Sequence, residues 1–480
     1  MRTVCLNGQW DFLADLDPRY HVYNPRVPIP TMVRPDVNRR HWRKVTVPGV
    51  WQKYAQRYDI FEGVCIFSRE FDAGEVSAQA AARLRFSGVN YLARVFVNGQ
   101  EAGSHETGYT EFVIDVTGKL VTGRNHVAVI VDNRVAVTKW PACFGYFNYG
   151  GIHRDVVLEI IDSPSLDDVQ IETSLTNGKW MLKARGLVRF AQSGHSVRAC
   201  CAGRNTAGDV TAGAFDLELA DCPIEAWSPQ SPCLYELALE LRDSQGVVLD
   251  ERRVRCGFRT IKVIDGRICL NDRPVHLKGI CHVFDSEETG LVMTRGQIDR
   301  DISMLKSLGC NAVRTHYPMD RAFYEACDEA GLMVWTEPPI YCLHPPDDAC
   351  GTEFTDAGHI QAAETMIDEM VAQLRNHPCA VIYGVGNECN LKNAEAGPFF
   401  RGIISRIRKA DPTRLVSYAA LYGLVGELAG LVDVLGVNSY WGWYDKCMGG
   451  KGLQPDGNVW QKSSGVQREP IDLSRMREMI

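Results

Sequence analysis

Residues 381–390 read VIYGVGNECN, and how this stretch is read decides the fold. Val381 to Val385 form a nearly apolar run, and the chain then breaks into Gly386-Asn387-Glu388. A short strand that is apolar on both faces belongs in a parallel sheet covered by helices, because a strand with one wet face would alternate. Five further runs beyond about residue 265 share this texture: PVHLKGICH, NAVRTHYP, LMVWTEPP, LVSYAA and DVLGVNSY. Helical spacing fills several of the gaps. Ile298, Ile302 and Leu305 share one helix face, with Gly309 as the stop. Ile367, Met370, Val371 and Leu374 repeat at i, i+3, i+4 and i+7, and that helix ends before Pro378. Phe400, Ile403, Ile404 and Ile407 follow the same spacing, whereas the gap between the fifth and sixth strands is short and its helical pattern weak. Alternation of this kind predicts a parallel α/β sheet, closed or doubly wound, with its strands adjacent in chain order.

Upstream the pattern is different. Residues 1–160 carry short alternating runs and no amphipathic helix of useful length, which predicts an all-β sandwich. Within it, ARLRFSGVNYLARVFVNGQEAG breaks at Asn98-Gly99, a hairpin signal. Trp10, Trp42 and Trp51 are read as core and interface anchors of this segment rather than sugar platforms. Residues 161–258 form a second β-rich segment, of a length suited to an immunoglobulin-like sandwich.

Bulk properties narrow the function. A chain of 480 residues is too long for one ordinary core. Its net charge of −7 leaves no basic footprint for nucleic acid. No apolar run approaches 18 residues, so no membrane span is expected, and the start MRTVCLNGQWDF has no apolar leader core. The 17 cysteines sit mostly in core-like runs without zinc-ligand spacing. They are read as buried free thiols in a reducing, cytoplasmic setting, and neither a metal nor a cofactor is expected.

Polar residues gather where the downstream strands stop. Arg314 and His316, Glu337, Asn387 and Glu388, and Asn438 and Tyr440 follow or close strands at their C-terminal ends. In a (β/α)8 barrel that rim is where active sites are built. A glutamate in the place of Glu388 either caps the next helix or pairs with an arginine, or it serves as an acid. A carboxyl group partly desolvated at the end of a buried strand favours its protonated form, and such a group donates a proton to a leaving group in glycoside hydrolysis. Tyr440, Trp441, Trp443 and Tyr444 in NSYWGWY offer flat faces for sugar rings.

With these residues in view, the chain resembles glycoside hydrolase family 2, the β-galactosidase and β-glucuronidase family, over essentially its whole length. The resemblance is carried by LNGQWDF, VPGVW, VFVNGQEAGSHETGYTEFVIDVT and NYGGIHRDVVLEI in the first segment. It continues through CGFRTIKVIDGRICLNDRPVHLKGICH, NAVRTHYPMD, YEACDEAGLMVWTEPP and GVGNE. It implies a sugar-binding jelly-roll domain over 1–160, an immunoglobulin-like sandwich over 161–258 and a catalytic TIM barrel over 259–480. It further implies Glu388 as general acid/base, Asn387 as partner of the sugar 2-hydroxyl, and Arg314, with His316 beside it, as the holder of the nucleophile's charge. Tyr440, with Asn438, Trp443 and Tyr444, falls in a form closest to β-glucuronidases. Two departures stand out: VRTHYP has one residue fewer between Arg and His than the commoner family form, and GICHVFDS brings His282 one position nearer the strand glycine. Since a one-residue shift reverses the face a strand residue points to, His282 is not placed in the site.

A retaining glycosidase needs a second carboxylate about 5–5.5 Å from the first. The resemblance places that nucleophile at the end of a seventh strand, yet only six strands are legible. Asp445, Asp456 and Glu469 lie in loop sequence, Asp472 opens a final helix-like stretch, and Glu337 reads as a structural rim carboxylate. The expectation is a barrel with about six of its eight units and no nucleophile in this chain. The function expected is hydrolysis of β-glucuronides or β-galactosides in lineage; the alternative is a catalytically inactive carbohydrate-binding protein. The expected partners are a carbohydrate and either a second copy or a completing chain.

Overall fold

The computed structural model describes residues 1–14, 33–36, 38–40, 42–134, 140–141, 147–341, 353–421 and 426–439. The first segment is an antiparallel sandwich. Its four-stranded sheet runs Arg2–Cys5, Val156–Ile161, Ala81–Phe86, Phe112–Asp115. The facing six-stranded sheet runs Arg43–Val47, Gly8–Ala14, Val64–Asp72, Arg124–Asp132, Leu92–Val97, Gln100–Glu106. The Asn98-Gly99 hairpin forms as expected: both residues have positive φ, 50° and 80°, which a two-residue hairpin turn of type I′ requires. Trp10 and Trp51 are buried in the core between the sheets, each indole N–H donating to a carbonyl (Leu6 and Phe61). Trp42 packs partly buried against a smaller cluster around Phe96 and Ile130.

The second segment is a seven-stranded sandwich of three and four antiparallel strands, spanning Ser165–Thr176 to Val248–Cys256. Inward residues of its strands alternate with exposed ones, as in the burial of Val197, Ala199 and Cys201 between exposed neighbours. This is the arrangement of an immunoglobulin-like fold.

The third segment is a single sheet of six parallel strands, ordered as in the chain. Strand one is Gly279–His282, two Ala312–His316, three Met333–Glu337, four Ala380–Asn387, five Leu415–Leu421 and six Val434–Asn438. The stretch PVHLKGICH divides: Arg273–Pro274 belongs to a small antiparallel sheet with 261–264 and 267–270, and only its end enters the barrel. Helix α1 (Arg295–Ser307) starts on a Thr294/Gln297 capping box, and the chain turns away at Gly309, φ 75°. Helix α2 (Arg321–Ala330) ends on left-handed Gly331. The apolar faces read from sequence on α3 (Ala357–Leu374) and α4 (Ala396–Ala410) are buried against the sheet. Between strands five and six only a short 3₁₀ turn, Gly426–Gly430, is found, in keeping with the weak helical pattern there. No helix of the described residues is long and apolar enough to cross a membrane.

The sheet curls into an open barrel. Strands two and six are four spacings apart, roughly 19 Å if the sheet were flat. Yet Arg314 of strand two lies 3.4 Å from Asn438 of strand six. Trp335 of strand three likewise closes on Gly436 of strand six, leaving no room there for a Cβ. The sandwiches brace this barrel. Fully buried Arg259 ties the second sandwich to the carbonyls of Pro378, Ala380 and Thr413. Buried Arg154 of the first donates to Pro318, two residues beyond His316.

Candidate active site

The rim is assembled by strand alternation. Arg314 and His316 lie two apart on strand two and point into the barrel, while Thr315 between them points outward to Thr336. On strand three, Trp335 and Glu337 share the inward face. Glu337 is wholly buried and is gripped by Arg314 through Nε (3.2 Å) and Nη2 (2.8 Å), with His316 Nε2 at 3.1 Å from Oε1. A charged carboxylate is tolerated at that depth because a forked guanidinium meets it. Burial works against the Arg314 charge, but Glu337 outweighs it and holds the guanidinium pKa above its ordinary value. Burial, aided by Arg314 and opposed by Glu337, lowers the His316 pKa and favours the neutral ring. Gly384 of strand four supplies the space for Glu337: a Cβ there would lie 2.6 Å from the Cβ of Glu337.

Asn387 and Glu388 are neighbours in sequence, and on a regular strand they would face opposite sides. Both nevertheless meet Asn438, whose Nδ2 donates to Asn387 Oδ1 (2.9 Å) and to Glu388 Oε1 (2.6 Å). The cause is local backbone geometry. Pairing between strands four and five slips between Gly384 and Asn387, and Glu388 adopts φ 51°, in the left-handed region. That conformation costs a non-glycine residue of order 1 kcal/mol or more. The Glu388 N–H donates to Ala419 and that of Asn387 to Ile340, which fixes the turn. Asn387 Oδ1 also accepts from Arg314 Nη2 at 2.8 Å. Strands two, three, four and six are thus joined in one hydrogen-bonded unit running from Glu337 through Arg314 and Asn387 to Asn438 and Glu388, with His316 beside Glu337.

The site residues read from sequence therefore divide. Arg314, His316, Asn387, Glu388 and Asn438 come together; Tyr440, Trp443 and Tyr444 lie outside the described residues. His282 faces away from the rim, with Nε2 3.2 Å from Asp301 of α1, as the one-residue shift implied. Cys281, its neighbour, is opposite Arg314 in register and interacts with it, and Trp335 presents its ring to the guanidinium at 5.2 Å. Neither was singled out from sequence, although strand parity identifies both once Arg314 is known to point inward. Away from the rim, Asp328, His377 and Cys379 converge closely enough to hold a metal. Their hydrogen bonds already account for them: Asp328 accepts from the ring of His377 and the N–H of Cys379, and burial keeps the Cys379 thiol protonated well above its ordinary range.

Comparison with known proteins agrees with this architecture. Residues 4–161 match the sugar binding domain of glycosyl hydrolases family 2, 161–259 match a further model of glycosyl hydrolases family 2, and 261–470 match the family's TIM barrel domain. A putative β-glucuronidase of Formosa agariphila is 28% identical over 85% of this chain and 51% of its own. A β-galactosidase of Lactobacillus delbrueckii subsp. bulgaricus is 30% identical over 73% of this chain and 36% of its own. This chain thus spans about half, or less, of the length of these curated relatives. The crystal structure of a β-galacturonidase from Eisenbergiella tayi bound to galacturonate superposes with a TM-score of 0.77, at 28% identity, covering 92% of this chain and 76% of that one. With three consecutive domain models matched in the family's order, the chain belongs to glycoside hydrolase family 2.

Proposed function

We propose that this rim is the acid/base half of a retaining β-glycosidase site, with Glu388 as the proton donor to the departing aglycone. The observation that carries the reading is the position of Glu388: a carboxyl group turned out of strand four by its left-handed backbone and aligned by Asn438 at 2.6 Å. Asn387 spends its carbonyl oxygen on Arg314 and Asn438, which leaves its amide N–H groups for a sugar hydroxyl. The names of the relatives support a β-glucuronide, β-galacturonide or β-galactoside as substrate. Glu337 is not the nucleophile in this reading, because it is wholly buried and committed to Arg314 and His316. A general acid contributes about 10²–10⁴-fold and does not replace covalent catalysis. The 480-residue chain by itself is then a poor hydrolase. Free thiols throughout the described residues support a reducing, cytoplasmic setting. The apolar residues exposed on the outer strands support a second copy or a completing chain as partner.

A second reading, sugar binding without hydrolysis, is favoured because the other rim carboxylate described, Glu337, is committed to Arg314 and His316. One experiment tests what the two readings share and whether a nucleophile is present. Purified chain is assayed for binding of glucuronate and galacturonate and for turnover of chromogenic β-glucuronide and β-galactoside. The expected outcome is saturable binding, weakened by Asn387→Ala, with little turnover. Absence of sugar binding would refute both readings, and robust turnover abolished by Glu388→Gln would place a nucleophile within this chain.

A further inference from the structure

A second polar cavity lies at the opposite end of the barrel, where the immunoglobulin-like sandwich docks beneath the strands. Its volume is about 340 Å³, within the usual range for small-molecule sites at domain interfaces. One wall is the hairpin of the sandwich, where Gln170 and Glu172 face Arg185 and Lys183 in register. The other wall is Arg375, just after α3, and residues 409–414, which run from the last turn of α4 to the start of strand five. Asn376 fastens the two walls, accepting from the Ile171 N–H and donating to the Val169 carbonyl, both at 2.8 Å.

The lining is cationic in a chain whose overall charge is −7. Among the lining residues Lys183, Arg185, Arg375, Lys409 and Arg414 outnumber Glu172 and Asp411, while Asp216 and Asp168 meet three of these cations from outside the lining. Arg414 is consumed by structure: it donates to the carbonyls of Ala380, Arg375 and His377 and pairs with Asp411. The others are not. Arg375 pairs with Asp168 outside the cavity through Nη2, but its buried Nε has no acceptor. Lys183 and Arg185 share one carboxylate, Asp216, at 3.2 Å each, and Arg185 lies 3.7 Å from Glu172. Lys409 is exposed and has no carboxylate partner among the described residues. Cations therefore enter from three directions: the hairpin, the end of α3 and the end of α4. A carboxylate offers two oxygens in one plane, whereas a phosphoryl group offers three around a tetrahedron and meets donors from all three sides.

We propose that this cleft binds a phosphoryl group, free or carried on a small organic molecule, with Lys183, Arg185, Arg375 and Lys409 as its donors. The site is remote from Glu388, and its assignment does not depend on the reading of the rim. The test is calorimetric titration of the purified chain with inorganic phosphate and, in a second arm, with glucose 6-phosphate, at ionic strength held constant with chloride. Saturable binding of either probe is expected, and the arm that binds more tightly identifies the free or the carried group. Lys409→Glu, at an exposed position, should weaken binding at least tenfold with the ligand-free unfolding temperature unchanged, and Lys183→Gln should weaken it severalfold. The proposal is overturned if neither probe saturates below about 10 mM, or if both variants bind as the parent does.

Discussion

The middle and the margins of the barrel are built differently. Every residue of strands four and five is buried, and the two present Asn387 and the backbone acceptor for Glu388 from inside a continuous core. Strands one and six, the outer strands of the described sheet, are half-exposed, with Ile280 46% and Val437 53% accessible. The site nevertheless bridges these regions, since Asn438 of strand six aligns a glutamate from strand four. Its geometry is set by a polar network anchored in the centre and reaching the margin across the barrel mouth.

If the centre holds the site, the largest effect should come from its buried charges. Glu337→Gln leaves Arg314 buried without a counter-charge and should destabilise the chain by about 3–5 kcal/mol, read by denaturant unfolding. A loss below about 1 kcal/mol would mean that the pair is solvated in solution. Acidification should act next, and elsewhere. Burial, with Arg154 adding to it, lowers the His153 pKa to about 3; burial and Arg39 lower that of His126 to about 4. At pH 7 both rings are neutral in the folded chain and mostly neutral in the unfolded one. Below about 6.5 the unfolded chain binds protons that the folded chain resists, so stability falls from there towards pH 3 for His153 and pH 4 for His126, at up to about 1.4 kcal/mol per unit for each ring. Unfolding temperatures between pH 7 and 4.5 should show this, and His153→Gln should flatten the slope. An unchanged slope would show that acid acts on some other part of the molecule.

Smaller effects sharpen the contrast. Gly384→Ala drives a Cβ into Glu337 and should cost about 1–3 kcal/mol, with the Arg314 network displaced. At the margin, Val437→Lys should change stability by less than about 0.5 kcal/mol. It should reduce self-association in sedimentation, since a lysine blunts an exposed strand edge. A margin mutation as costly as Glu337→Gln would erase the distinction between the two regions.

Much of this was legible in sequence because the signals are periodic. Continuous apolar runs gave the parallel strands, a shared apolar face gave α1, and i, i+3, i+4, i+7 spacing gave α3 and α4. Its place at a strand end and the family resemblance singled out Arg314, and the one-residue shift in GICHVFDS kept His282 out of the candidate site. What parity hid was the turn at Glu388, because adjacent residues acting together require a positive φ that no propensity of glutamate announces. The Glu337 grip on Arg314 was likewise hidden: Glu337 read as a rim carboxylate, but its partners come from another strand, brought close by curling of the sheet. The cationic cleft was invisible for the same reason, since Lys183 and Lys409 belong to different domains.

The most direct test of the central claim, that Glu388 is an acid awaiting a nucleophile, is chemical rescue with formate. Purified chain is given aryl β-glucuronides and β-galactosides, with and without sodium formate, beside Glu388→Gln. Formate attacks the anomeric carbon as the aglycone leaves with the proton of Glu388. The account predicts negligible release in buffer and measurable release with formate. Glu388→Gln should lose that rescue for a phenyl aglycone, which needs the proton, far more than for a dinitrophenyl one, which does not. Brisk formate-independent release that Glu388→Gln abolishes, or rescue indifferent to Glu388 for both aglycones, would contradict it.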